Sequence, residues 1–370
     1  MILAFLDELA ALWAPLANLR SLAARAGLAA VTAFAVALIL GPPLLAMLRK
    51  RRFLEIETKT DSQRLNTINA GKEPVPTMGG LMIVGAVMVA GLVFGDLSNA
   101  YVQLALLSTL GYGFIGFIDD WIKLRYPQRK GLQAASKMAF QVLVASALAF
   151  SLTSIFMQQG IPELLAVHVP FIGARVDLSS LGALPHMLFV VLVVMGTSNA
   201  VNLTDGMDGL AGGSLTIAAL AMAVICVLVG RAEILKLDLL YVPLSQEMTV
   251  FCTAMAGGTL GFLWFNAAPA LIYMGDTGSL PLGSLLGYVA VVTKSELVLV
   301  LIGGVFVMEA LSVITQVGVF KLSHGRRVFR CAPLHHHFQF GGMPDTRIVM
   351  RFWIVSALCA ALGLSSLAVQ

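Results

Sequence analysis

The chain has 370 residues, of which 58% are hydrophobic and only 12% are charged, and its mean hydropathy is +0.88. Soluble domains carry about 25% charged residues, so this composition excludes a soluble globular protein and indicates a polytopic membrane protein. The formal net charge of +4 gives no reason to expect a nucleic-acid partner, because the basic residues follow membrane topology. The four cysteines are scattered without a CxxC pair, which excludes a disulfide framework and a cysteine zinc site.

Ten apolar stretches approach the length of about 20 residues that a membrane-spanning helix requires. The predicted fold class is an all-α polytopic membrane protein with about ten transmembrane helices in a single integral-membrane domain, 1–370. The eighth stretch is the least regular, because it contains Gly275, Asp276 and Pro281, and we expect its first turn to be a loop. The predicted spans are residues 22–47, 77–95, 99–118, 134–156, 184–200, 209–230, 248–266, 270–293, 297–320 and 348–369.

Four segments that lie mainly outside the spans have sequence patterns that predict a particular structure. Residues 1–20 lack the basic n-region of a signal peptide, and we predict an interfacial segment that is not cleaved. Alternating apolar residues predict a hairpin within 161–183, and mixed charged and apolar residues predict an interfacial helix over 231–247. The segment 321–347 is predicted to be a loop that contains three consecutive histidines.

The basic residues define the predicted orientation. The connections 48–76, 119–137 and 321–351 hold 18 of the 24 Lys and Arg residues, and all three are odd-numbered connections. Because Lys and Arg are enriched in cytoplasmic loops, we predict that the odd-numbered connections are cytoplasmic and that both termini are periplasmic.

Every connection on the predicted cytoplasmic face carries an unusual polar or glycine-rich cluster, whereas the connections on the other face carry none. A shared site on the cytoplasmic face follows from this one-sided distribution. The clusters lie at 69–80, 116–120, 199–213, 266 with 273–279, and 333–338.

Asp119 and Asp120 are adjacent carboxylates at a predicted helix C-terminus, where they oppose the helix dipole. They are either solvated charge or, as we expect, compensated by a bound cation or a basic partner. The glycines around Asp276 form either an ordinary turn or a backbone that approaches phosphate oxygens.

His335, His336 and His337 are adjacent in sequence, so their side chains do not converge on a zinc ion from one helix, and no cysteine accompanies them. They are better suited to binding phosphate or relaying a proton. Carboxylates beside glycine-rich turns, Lys and Thr indicate Mg²⁺ completed by substrate phosphates. The residues alone therefore predict a magnesium-dependent phosphoryl transferase that acts on a lipid.

The clusters also resemble a known family in order and spacing. From about residue 20 to residue 369 the chain is similar to the polyprenyl-phosphate N-acetylhexosamine-1-phosphate transferase superfamily. The motifs that carry the resemblance are Gly79-Gly80, Phe117-Ile-Asp119-Asp120, Asn199-Ala-Val-Asn202-Leu-Thr-Asp205-Gly-Met-Asp208-Gly209-Leu, Met274-Gly275-Asp276-Thr-Gly-Ser279 and Pro333-Leu-His335-His336-His337-Phe338.

Membership implies a reaction between a UDP-activated amino sugar and undecaprenyl phosphate that releases UMP and requires Mg²⁺. It also implies ten helices, a multi-pass location in the bacterial inner membrane among membrane lipids, and a homodimer. The continuous histidine triplet after Pro333-Leu334 resembles the members that use UDP-N-acetylmuramoyl-pentapeptide more than sister enzymes that use UDP-N-acetylglucosamine. A transporter is the remaining alternative, but the chain shows no inverted repeat and no polar path across the membrane.

The resemblance also implies residue roles. Asp276 corresponds to the magnesium ligand, with Asp119 and Asp120 as catalytic residues facing it and His335 and His336 acting on the diphosphate. Asp119 is the expected base for the lipid phosphate, and a covalent aspartyl-phosphate intermediate is the alternative mechanism. The implied substrate-binding residues are Lys72, Thr77, Lys123, Lys137, Asn199, Asn202, Leu203, Asp205, Gly206, Asp208, Asn266, Tyr273, Gly275 and His337.

Two residues depart from the pattern of the family. Tyr273, the expected stacking partner of the uracil, stands where Phe is common, which keeps the ring and adds a hydroxyl. Gln339 stands where Glu is usual, so a charge-dependent role at this position is in doubt.

Overall fold

The computed structural model of the chain describes residues 20–51, 53–55, 74–126, 128, 131–237 and 239–369. The interfacial segment predicted over 1–20 lies outside these residues except for Arg20, and so does the predicted substrate-binding residue Lys72.

The described residues are mostly helical. The Asn99 side chain accepts a hydrogen bond of 2.8 Å from the amide of Tyr101 and so caps the helix that follows. The α-helices are α1 Leu22–Lys50, α2 Gly80–Phe94, α3 Ala100–Arg125, α4 Ala134–Gln159, α5 Leu184–Thr204, α6 Leu210–Gly230, α7 Ala232–Leu235, α8 Met248–Asn266, α9 Asp276–Val292, α10 Glu296–Ile302, α11 Gly304–Leu322, α12 Leu334–Phe340 and α13 Asp345–Ser365.

Eight helices within the described ranges are long and apolar enough to cross a membrane, which establishes a multi-pass membrane protein. Each of the ten predicted spans contains a helix, but α2 has only 15 residues and α9 only 17. The ninth predicted span is divided at Gly303 into α10 and α11.

Helix α9 lies inside the bundle and packs most extensively against α3 and α5. All 17 of its residues are buried. Because protein rather than lipid surrounds it, the helix needs small residues for close packing more than it needs hydrophobicity. This explains why the eighth span looked irregular in sequence, and the loop predicted for its first turn is observed before Asp276.

Two segments between the predicted spans were given a secondary structure from the sequence. The structure agrees with the prediction for the first segment and not for the second. Strands β3 (Ala166–His168) and β4 (Arg175–Asp177) pair antiparallel, with Val167 opposite Val176, where alternation predicted a hairpin. The interfacial helix expected over 231–247 is wrong as predicted, because its described residues contain one four-residue α-helix, α7, and a 3-10 turn at Ser245–Glu247. Lys236 and Leu244 adopt the left-handed conformation, which ends a regular helix.

A second two-stranded pairing joins β1 (Leu54–Glu55) to β2 (Val75–Pro76). The chain after β2 runs beside the loop before α9, because the amides of Gly79 and Gly80 donate to the carbonyls of Tyr273 and Met274 at 2.8 and 2.9 Å. This pairing brings the first polar cluster to the start of α9, where several helix ends meet.

Candidate active site

The carboxylates of Asp119, Asp120 and Asp276 form a buried cluster in which one oxygen from each lies within 4.8 Å of the others. Asp119 and Asp120 lie near the C-terminal end of α3, and Asp276 is the first residue of α9. Gly116 permits this approach, because a Cβ there would overlap the carbonyl oxygen of Asp276. Three carboxylates this close and this buried can bind a divalent cation.

Asp120 holds the N-terminus of α9. Its carboxylate accepts hydrogen bonds from the amide of Thr277 at 2.9 Å, the hydroxyl of Thr277 at 2.7 Å and the amide of Asp276 at 3.3 Å. A carboxylate in this position satisfies free N–H groups and interacts favourably with the positive end of the helix dipole. Both oxygens of Asp120 are therefore engaged in holding the helix.

Asp119 has different surroundings. Its Oδ1 accepts a hydrogen bond of 2.9 Å from the amide of Leu132, in the short connection between α3 and α4. Its Oδ2 lies 2.6 Å from Nζ of Lys123. The two neighbouring aspartates thus make different contacts: Asp120 faces a helix end and Asp119 faces the basic residue beside the cluster.

Two lysines offset the charge of the three aspartates. Lys123 Nζ lies 2.6 Å from Asp119, 3.5 Å from Asp120 and 3.5 Å from Asp276. Lys137, in the first turn of α4, forms an ion pair with Asp276 Oδ2. Both lysines were predicted to bind substrate, and the structure places both directly at the acidic cluster.

Asn202, in the last turn of α5, connects the stretch 199–213 to the cluster. Its Nδ2 donates to Asp276 Oδ1 and to Ser279 Oγ, both at 2.8 Å. Ser279 in turn donates to the carbonyl of Gly275 at 3.0 Å. Because both oxygens of Asp276 have partners, the carboxylate is held in one orientation.

Thr77 and Gly275 lie beside Asp120 on the side of the first polar cluster. Gly275 has φ +71°, which favours glycine, and a Cβ there would lie 2.6 Å from Asp120 Oδ2 and 3.1 Å from Thr77 Oγ1. The hydroxyl of Thr77 is buried. Tyr273 is partly exposed in the same loop, and its amide donates to the carbonyl of Pro76 at 2.8 Å.

Asp208 and Asn266 connect two loops that both contain predicted substrate-binding residues. Asp208 accepts a hydrogen bond of 3.0 Å from the amide of Ala270. Asn266 accepts from the amide of Gly209 at 2.9 Å and donates to the carbonyl of Ile272 at 2.8 Å. Asn266 is buried, so its contacts indicate that it holds the two loops together.

The stretch 199–213 contains further residues that were predicted to bind substrate. Asn199 pairs with Gln141 of α4, and its Nδ2 donates to Gln141 Oε1 at 2.8 Å. Leu203 and Asp205 are partly exposed at the end of α5. Gly206 lies against His335, because a Cβ on Gly206 would overlap the imidazole.

The three histidines occupy a short helix, α12, and each has a different environment. His335 is buried, and its Nδ1 lies 3.2 Å from Glu309 Oε1. His336 Nδ1 lies 2.9 Å from Gln339 Oε1. His337 is partly exposed, and its Nδ1 accepts a hydrogen bond of 3.1 Å from the amide of Arg330. His335 contacts the stretch 199–213 through Gly206.

Four residues that contact the predicted site residues were not themselves predicted from the sequence. Thr277 and Ser279 were included in a motif but given no role of their own. Gln141 and Glu309 lie inside apolar spans. A buried polar side chain inside a span is itself a signal, because it requires a partner in the bundle.

The arrangement can bind anionic oxygens and neutralise their charge. Lys123, Lys137 and the acidic cluster lie together at the ends of α3 and α5 and the starts of α4 and α9. Oxygen ligands next to ammonium groups suit a divalent cation with phosphate groups, and phosphoryl transfer depends chiefly on such positioning.

Comparison with known proteins first gives the class. Residues 102–294, which include the acidic cluster and the stretch 199–213, match the family described as glycosyl transferase family 4. The protein is therefore a membrane-bound transferase.

Full-length relatives then give the family. The chain is 44% identical over 93% of its length to the phospho-N-acetylmuramoyl-pentapeptide-transferase of Thermodesulfovibrio yellowstonii, covering 92% of that protein. It is 45% identical to the enzyme of that name from Desulfosudis oleivorans over 92% of both chains, and 41% identical to that of Maridesulfovibrio salexigens over 100% of both. The chain belongs to the family of phospho-N-acetylmuramoyl-pentapeptide-transferases, which confirms the resemblance and favours this family over the sister enzymes and the transporter.

Proposed function

We propose that the chain transfers phospho-N-acetylmuramoyl-pentapeptide from UDP-N-acetylmuramoyl-pentapeptide to undecaprenyl phosphate. The products are UMP and undecaprenyl-diphospho-N-acetylmuramoyl-pentapeptide, called lipid I, and the reaction is the first membrane step of peptidoglycan synthesis. The observation that carries the proposal is the buried cluster of Asp119, Asp120 and Asp276 between Lys123 and Lys137 at the ends of membrane helices.

Mg²⁺ is the cation that fits this cluster. All donors are carboxylate oxygens, which suit a hard cation, and no cysteine lies in the cluster. Asp276 is the proposed ligand, with Asp119 next to it, whereas the oxygens of Asp120 are already used by the start of α9. When bound, the ion would offset negative charge on the phosphates of the donor.

Asp119 is the proposed base. An oxygen of undecaprenyl phosphate attacks the β-phosphorus of the UDP-sugar after Asp119 has accepted its proton. The bond from the β-phosphorus to the bridging oxygen breaks, and UMP leaves. A covalent phosphate on Asp119 is the alternative route to the same products. Lys123, 2.6 Å from Asp119, is placed to hold an anionic oxygen during either route.

The nucleotide is proposed to lie along the loop before α9 and the stretch 199–213. Tyr273 would stack on the uracil, and Leu203, Asp205, Gly206 and Asp208 would line its edge. Lys72, although outside the described residues, belongs to the same proposed set. His335, next to Gly206, would meet the diphosphate.

We propose that the site faces the cytoplasm in the bacterial inner membrane, with ten spans and both termini periplasmic. The distribution of Lys and Arg supports this orientation. A soluble UDP-sugar then meets a lipid acceptor at the membrane surface. A homodimer surrounded by membrane lipids is the proposed assembly.

The decisive experiment measures UMP release by the purified protein with Mg²⁺ and undecaprenyl phosphate. UDP-N-acetylmuramoyl-pentapeptide and UDP-N-acetylglucosamine are supplied in parallel. We expect turnover with the first donor only. Turnover with UDP-N-acetylglucosamine alone would assign the chain to the sister activity and overturn the proposal.

A further inference from the structure

Glu309 is the only acidic residue of α11, and it contacts the first histidine of the triplet. Its Oε1 accepts a hydrogen bond of 3.1 Å from the backbone amide of His335 and lies 3.2 Å from Nδ1 of the same residue. Both side chains are buried. One carboxylate oxygen therefore lies close to both the backbone and the ring of His335.

The backbone contact decides the direction of the ring contact. A backbone amide only donates, so Glu309 Oε1 acts as an acceptor at this position. Nδ1 makes no aligned hydrogen bond, but the negative oxygen 3.2 Å away favours the form of the imidazole in which Nδ1 carries hydrogen. In the neutral ring, Nε2 is then the nitrogen without hydrogen.

The opposite edge of the ring faces the stretch 199–213. A Cβ on Gly206 would overlap Nε2 and Cε1 of His335, so this edge lies against the loop proposed to bind the nucleotide. Nε2 of His335 is buried without a hydrogen-bond partner. The side of the ring that carries Nε2 therefore faces the loop proposed to bind the nucleotide.

His336 shows a similar arrangement on the neighbouring residue. Its Nδ1 lies 2.9 Å from Gln339 Oε1, while Gln339 Nε2 donates to Asp345 at 2.9 Å. Because the amide nitrogen is used for Asp345, the amide oxygen faces His336, so Nδ1 again meets an acceptor. An ionised glutamate at 339 could not donate to Asp345. The amide of Gln339 therefore joins His336 to Asp345 in a way that glutamate could not.

We propose that Glu309 is a positioning residue that holds His335 with hydrogen on Nδ1 and turns Nε2 toward Gly206, in the loop proposed to bind the donor. The proposal rests on the proposed function for the identity of the substrate. The position of hydrogen on the His335 ring is a property of the protein alone and does not depend on the substrate. Glu309 acts through His335 and does not touch the substrate.

The test combines ring spectroscopy with kinetics. The full chain, labelled with ¹⁵N in its histidine rings, is measured without substrate at alkaline pH. Nε2 couples to both ring carbon protons whereas Nδ1 couples strongly to one, so the two nitrogens are distinguished. The signals of His335 are assigned by their loss in His335→Gln.

Wild type and Glu309→Gln are expected to carry hydrogen on Nδ1, because the amide oxygen of Gln still accepts. Glu309→Leu is expected to shift hydrogen to Nε2 or to give a mixture of both forms. It should also lower kcat at least about 30-fold, with less than about threefold change in the KM of the UDP-sugar, as for other residues that orient a histidine. Ser312→Ala, which removes a hydroxyl one turn further along α11, is the matched control and should leave kcat unchanged.

The proposal is overturned if the wild-type ring carries hydrogen on Nε2. It is also overturned if hydrogen stays on Nδ1 in Glu309→Leu as it does in wild type. If Glu309→Leu does not fold, the spectra of wild type and Glu309→Gln still decide between the two forms. The spectra need no substrate, so they remain valid if wild type releases no UMP. Absence of UMP release would contradict the proposed function alone.

Discussion

The carboxylate of Asp120 accepts both the amide and the hydroxyl of Thr277, at 2.9 and 2.7 Å, and so joins the end of α3 to the start of α9. Its neighbour Asp119 faces Lys123 instead. Two adjacent carboxylates with the same chemistry therefore make different contributions, one to holding a helix and one to the closest ion pair with Lys123.

We expect Asp120→Asn to lower the stability of the fold more than Asp119→Asn. An amide cannot accept at both of its terminal atoms, so the start of α9 loses part of its cap, at a cost of about 1 kcal/mol. Thermal unfolding in detergent, followed by tryptophan fluorescence, measures the difference. Equal melting temperatures for Asp120→Asn and wild type would show that the cap contributes nothing.

Asp276→Asn is expected to abolish Mg²⁺-dependent UMP release while the protein still folds. The amide keeps an acceptor for Asn202 but removes the charge that binds the cation. UMP release is measured across a Mg²⁺ titration, with Glu233→Gln on the exposed segment after α6 as the control. Activity near the wild-type level would contradict the assignment of Asp276 as the metal ligand.

Lys137→Met is expected to strengthen Mg²⁺ binding while lowering turnover. Lys137 pairs with Asp276 and so competes with a cation for the same carboxylate. Its loss should lower the Mg²⁺ concentration for half-maximal rate several-fold and lower kcat about tenfold or more, because a phosphate contact is removed. The same titration of UMP release measures both effects. A higher Mg²⁺ requirement in this variant would refute the competition.

Gly206→Ala is expected to reduce turnover strongly, because the added Cβ overlaps the ring of His335 and displaces it. Gly318→Ala is the matched control, since nothing lies within 4 Å of a Cβ at that position. The control should be neutral or more stable by up to about 1 kcal/mol, because alanine favours the helix. UMP release and melting temperature are measured for both. Equal activity in the two variants would mean that the position of His335 does not matter.

Arg25→Met is expected to destabilise the fold by about 3–5 kcal/mol, because it leaves Glu247 buried without its partner. Arg25 donates to both oxygens of Glu247, at 2.8 and 2.5 Å, and to the carbonyl of Phe94 at 2.8 Å. The double variant Arg25→Met with Glu247→Gln should recover part of the loss. Melting temperatures of both variants test this, and no recovery in the double variant would argue against an unpaired charge as the cause.

Much of the architecture could be predicted because hydropathy is a local property. A stretch of about 20 apolar residues must become a helix in a membrane, since lipid offers no hydrogen-bond partners to the backbone. The same reasoning failed for 231–247, where mixed polar and apolar residues predicted a helix. Most of the described residues of that segment form no regular structure, because Lys236 and Leu244 turn the backbone out of the helical conformation.

The sequence by itself determined that the chain spans a membrane many times and that its motifs are those of one transferase family, and it predicted that the polar clusters share one face of the membrane. Tertiary structure decided which of two adjacent aspartates caps α9, which buried carboxylate meets His335, and why an irregular span lies inside the bundle. Asp120 and Thr277 are 157 positions apart, and Glu309 and His335 are 26 apart. Such pairs depend on how helices pack, because side-chain hydrogen bonds require distances near 3 Å that hydropathy and motif spacing do not specify.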